Sequence, residues 1–200
     1  TLCALQIATN TFSMEKELPE IQGTTTLTQY LNELEDIEEG YAKQIWPYWK
    51  EDRGPLYRKN TQALIKKIMD WIQSTQEYID INTISKKGNT LLYHVIKNAS
   101  DKEKSQLSDI CIFTQYLLKY NANPNIQNND GKTAFWHCMW NCLERFHCKD
   151  WYSDSQREMF KNLIRLFLTY NANPNVSSSD AGLCLLAQRE YSDMVKEILQ

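Results

Sequence analysis

The hexapeptide YNANPN is written twice, at Tyr120 to Asn125 and at Tyr170 to Asn175, with its last residues 50 positions apart, and each copy closes a run of apolar residues. A polar turn of identical spelling at the same place in a longer unit marks a chain built from stacked repeats. After the first copy comes IQNNDGKTAFWHC, in which Gly131 stands six residues past Asn125 and Thr133 two further on. A degenerate copy lies upstream. There IDIN, Ile79 to Asn82, is followed by TISKKGNTLLYHV, with Gly88 again six residues past Asn82 and Thr90 two further on. This pattern predicts a hairpin-like turn feeding a helix. Gly88 and Gly131 tolerate positive φ, Thr90 and Thr133 cap the first helical turn, and the apolar residues that follow begin a buried face.

Upstream of each NANPN lies an amphipathic helix. In CIFTQYLLKY the apolar set is Ile112, Phe113, Tyr116, Leu117 and Tyr120; in MFKNLIRLFLTY it is Met159, Phe160, Leu163, Ile164, Phe167 and Leu168, both at helical spacing. Asn121 and Asn171 then read as left-handed helix stops, and Pro124 and Pro174 keep the helix from resuming. Each unit therefore reads helix, helix, hairpin-like turn.

That arrangement resembles the ankyrin repeat. GNTLLYHV and GKTAFWHC stand in the family's G-x-T-P-L-H-x-A place, and LLKYNANPN and FLTYNANPN in its L-L-x-x-G-A-D-V-N place. LLAQREYSDMVKEIL is similar to its A-A-x-x-G-x-x-D-M-V-K-x-L-L helix pair. The departures are large. Unit spacings of 43 and 50 residues exceed the family's repeat of about 33. The surplus falls between the two helices of a unit, around ASDKEKSQLS and RFHCKDWYSDSQ. Tyr93 and Trp136 replace the usual His, Val95 and Ile96 replace two alanines, and the hairpin VSSSDAG lacks its Gly at the expected place. The resemblance implies an all-α ankyrin-repeat solenoid, with three irregular repeats over residues 76–200 and a helical N-terminal cap over 1–75.

Within that cap, TTTLTQYLNELEDIEE places Leu27, Tyr30, Leu31, Leu34 and Ile37 on one helical face behind a Thr cap, with Gly40 as a stop. A second helix is expected from Leu56 to Gln73, using Leu64, Ile65, Ile68 and Ile72, after the loop-like EDRGP. A stack of repeats needs its apolar end covered, and this region would do that, with a degenerate repeat admissible from Tyr41 onward.

The net charge of −3 and pI near 5.7 argue against a nucleic-acid footprint. The charge is uneven: residues 1–40 hold eight acidic side chains and one Lys, and residues 41–120 hold thirteen basic against eight acidic. The acidic run either lies against the basic segment or forms a solvated helix face; the usual behaviour of charge runs favours the second. No apolar run is long enough to span a bilayer, so no membrane insertion is expected. Thr1 is not preceded by Met, which leaves room for an address ahead of it. The six Cys lie mostly in apolar or helical contexts and point to a reducing, cytoplasmic setting.

The reactive cluster is HCMWNCLERFHC, with His137, Cys138, Cys142, His147 and Cys148. Cys138 and Cys142 are one helical turn apart and could share a zinc ion with His147 or Cys148. No paired C-x-x-C supports that, and Cys138 stands where the ankyrin family has a small buried Ala, so the expectation is no metal and no cofactor. A Cys/His nucleophilic pair would also need an orienting acid and an oxyanion hole, no local signature of a cysteine hydrolase is present, and the repeats explain these residues more simply, so the chain is expected not to be an enzyme.

The resemblance implies a monomeric protein-interaction module or adaptor that binds a protein partner through its concave face. The positions on the hairpin tips and first helices are Lys86, Lys87, Asn89, Lys97, Asn98, Asn129, Asp130, Lys132, Trp140 and Asn141, with the tips expected to be polar and exposed. The Asn-, Lys-, Ile- and Gln-rich wording looks like ankyrin effectors that intracellular bacteria deliver into host cells, which would place the chain in a host cytosol. The alternative is a substrate-recruiting or regulatory portion of a larger enzyme.

Overall fold

The computed structural model describes residues 27–45, 55–75, 79–100, 104–147 and 154–176. Among them the chain is all-α, with no strand: α1 (Leu27–Ile45), α2 (Pro55–Ser74), α3 (Leu91–Lys97), a 3-10 turn (Asn98–Ser100), α4 (Lys104–Lys119), α5 (Ala134–His147) and α6 (Asp154–Thr169). Among the described residues the extended pairing amounts to one isolated antiparallel bridge, between Ile84 and Thr90. None of the described helices is long and apolar enough to cross a membrane. The expected helix pair around LLAQREYSDMVKEIL, the hairpin VSSSDAG beyond its first residue Val176, and Trp46, Trp49, Trp151, Tyr152, Cys3, Cys148 and Cys184 lie outside the described residues.

The helices pack in successive pairs, α1 on α2, α3 on α4 and α5 on α6; α3 then packs on α5, and α4 on α6. One spacing of buried residues explains why. Leu27, Tyr30, Leu31 and Leu34 on α1 recur as Leu92, Val95, Ile96 and Ala99, and again as Phe135, Cys138, Met139 and Cys142. Each set keeps the i, i+3, i+4 and i+7 interval of a helical face, with Ala99 of the second set falling in the 3-10 turn that follows α3, and such a stripe has to be buried against a neighbour. The same interval recurs on α1, whose inward pattern begins at Leu27 and which packs on α2. Gly40 does not end α1, which runs on to Ile45, whereas α2 keeps the expected bounds to within one residue at each end.

The turns follow the local chemistry read from the sequence. Thr90 and Thr133 accept from the backbone N–H of Tyr93 at 3.2 Å and of Trp136 at 2.9 Å, capping α3 and α5. Gly88 and Gly131 have φ of +75° and +73°, while Asn121 and Asn171 take φ of +64° and +59° at the ends of α4 and α6. At both asparagines the following alanine N–H reaches back five residues, Ala122 to Leu117 and Ala172 to Phe167, the signature of a Schellman close.

The phase of α4 differs from expectation. Ile110, Thr114, Leu117 and Leu118 face inward, so Ile112 and Tyr120 are exposed. In α6 the expected Phe160, Leu163, Ile164 and Phe167 are all buried, and Phe167 stacks on Phe135 of α5 with ring centroids 5.3 Å apart.

Candidate protein-binding surface

Asparagine builds the joints between units. The Asn82 side chain donates to the Asn121 carbonyl at 3.1 Å and accepts from the Asn123 N–H at 2.7 Å. Asn125 repeats the clamp on the next unit, to the Asn171 carbonyl at 3.0 Å and from the Asn173 N–H at 2.7 Å. Asn123 and Asn173 each fold their Oδ1 onto the N–H two residues on, at 3.0 and 2.9 Å. The repeated YNANPN thus carries a left-handed stop, a buried alanine, an Asx turn and, in Asn125, a two-bond clamp.

A second polar line runs under the hairpin tips. Glu35 of α1 is buried and accepts from the Ser85 hydroxyl, from Asn89 Nδ2 at 2.8 Å and from the Lys87 N–H at 3.3 Å. Asn89 Oδ1 in turn accepts from Asn128 Nδ2 at 2.9 Å, and Asn128 Oδ1 accepts from the N–H groups of Asp130 and Lys132. Asn129 ties the two tips together, donating from its backbone to the Lys87 carbonyl and from its side chain to the Lys86 carbonyl.

The acidic helix α1 lies against the basic tips, correcting the expectation of a merely solvated face. Lys86 pairs with Asp36 at 3.5 Å, Lys87 with Glu39 at 2.6 Å, and Lys97 with Glu38. Glu38, with its side chain only 8% exposed, also meets His94 Nδ1 at 3.2 Å. Burial works against its charge, but the hydrogen bond and charge of His94, followed by Lys97, outweigh it and hold the carboxyl down at about 2. The hydrogen bond to Glu39 holds the Lys87 ammonium above its usual range. Sequence reasoning passed over Glu35 and Glu38. The signal was there for Glu35, a carboxylate directly after Leu34 on an apolar stripe, which implies a buried partner.

These contacts sort the ten expected partner-binding residues. Asn89, Asn98 and Asn141 are 4%, 5% and 3% exposed, so the expectation that they face a partner is corrected. Asn89 belongs to the polar line, Asn98 caps α3 by donating to the His94 carbonyl at 2.8 Å, and Asn141 donates to the Ile96 carbonyl at 3.2 Å, linking α5 to α3. Lys86, Lys87 and Lys97 are engaged by α1. Asn129 and Asp130 present an exposed tip, with Lys132 half-buried behind it.

What remains of the expected surface is centred on α5. Lys132 Nζ sits 4.6 Å over the Trp136 ring, and Trp136 stacks on Trp140 with centroids 5.6 Å apart at 11°. His137 continues the aromatic series to Tyr93, at 5.4 Å and 7°. Trp136 is 6% exposed and Trp140 36%, so the buried ring supports the exposed one. Aromatic rings braced in this way are suited to anchoring a macromolecular contact, since little side-chain freedom remains to be lost on binding.

Cys138 and Cys142 are fully buried in the core line of α5, in keeping with the small-residue place assigned to Cys138. Among the described residues no group of three or more His, Cys, Asp or Glu side chains could hold a metal ion; the side chains of His147 and Cys148 fall outside them. No family model and no curated protein matches the chain.

Proposed function

We propose that this chain is a non-enzymatic protein-interaction module of the ankyrin-repeat type, with its partner surface on α5 and the adjoining hairpin tip. The helix pairs, the capped hairpin-like turns and the repeated asparagine clamp support the ankyrin reading. The observation that carries the binding reading is Trp140, exposed yet braced by Trp136, over whose ring Lys132 sits. The wording of the chain adds the setting: an adaptor working in a cytosol, that of a host cell if the protein is a delivered effector.

Site-specific photo-crosslinking tests the surface. A photoreactive residue introduced at Trp140 or Asn129 is expected to capture a protein that the same residue at Asn162, an exposed position on α6, does not. Lys132→Ala should weaken that capture in a chain of unchanged thermal stability. Equal capture from Asn162, or none from Trp140 and Asn129, moves the partner surface elsewhere.

A further inference from the structure

We draw no further inference here: the strongest candidate, the apolar stripe of Ile112, Tyr116 and Tyr120 along α4 and the turn after it, is an unpartnered face, and nothing in the structure shows what covers it.

Discussion

Asn128 donates from Nδ2 to Oδ1 of Asn89 at 2.9 Å, and both side chains are buried although each stands in a turn that looks from the sequence like solvent-facing polar loop. That bond is one link in a line from Glu35 through Asn89 and Asn128 to the backbone of the next tip. A buried amide is tolerated when both of its ends are satisfied: Asn89 meets Glu35 and Asn128, one on each side, and Asn128 meets Asn89 at one end and the backbone of its own tip at the other. The hairpins are therefore held in register by side chains as well as by packing.

Asn89→Ala should leave Asn128 Nδ2 without its acceptor and Glu35 without one of its donors. The expected cost is about 1–3 kcal/mol, seen as a lower denaturant midpoint with an unchanged slope. Asn89→Asp should cost more, because it sets a second carboxylate against Glu35. A midpoint unchanged in both variants would contradict the buried line.

Gly88→Ala tests the tip geometry. Besides φ of +75°, an added Cβ would lie 2.9 Å from Asn129 Oδ1 and 3.1 Å from the Asn128 Cα and the Asn129 N. Two of those neighbours are backbone, so relief requires the second tip to move away from the first. A loss of about 1–3 kcal/mol is expected in thermal or urea unfolding. A neutral substitution would show that the two tips are not in contact.

The clamps at Asn82 and Asn125 make the same two bonds, so Asn82→Ala and Asn125→Ala should cost similar amounts, about 1–2 kcal/mol each. A conspicuous loss at one and none at the other in urea unfolding would break the equivalence of the two joints.

Glu38 predicts a pH dependence. Its carboxyl titrates at about 2 in the folded chain against an ordinary 4.5. The unfolded chain therefore binds the proton first, and the stability that Glu38 supplies is complete above about pH 4.5 and is lost as pH falls toward 2. Glu38→Gln should lower the melting temperature at neutral pH and flatten its acid decline within that window. Parallel melting-temperature profiles for the two proteins would remove Glu38 from the joint between α1 and α3.

Much of this architecture is legible because it depends on local rules. Asn121, Asn171, Gly88 and Gly131 take left-handed backbone, and Thr90 and Thr133 cap, for reasons contained within a few residues of chain. The surface was less legible, because burial of Asn89, Asn98 and Asn141 is decided by neighbouring units and by groups on other helices. The docking of α1 follows the same logic. A run of carboxylates reads as solvated until the fold brings Lys86, Lys87 and Lys97 to it. Helix phase misled at Ile112 and Tyr120, where more apolar residues were available than one inward stripe could use.

Trp136 and Trp140 separate folding from binding on one helix. Trp136→Ala should destabilise the chain by about 3–5 kcal/mol, the range for emptying a core aromatic site, because its ring is nearly all buried. Trp140→Ala should change stability far less, since a third of the residue already faces water and its ring rests on Trp136 from outside. Its effect belongs to association: an aromatic hot spot at the centre of an interface is worth about 2 kcal/mol or more, close to a thirtyfold loss of affinity. The measurement pairs urea unfolding of both variants with affinity for the protein captured by crosslinking. If Trp140→Ala unfolds the chain as readily as Trp136→Ala, the ring belongs to the core. If it leaves both stability and affinity intact, the partner does not use α5.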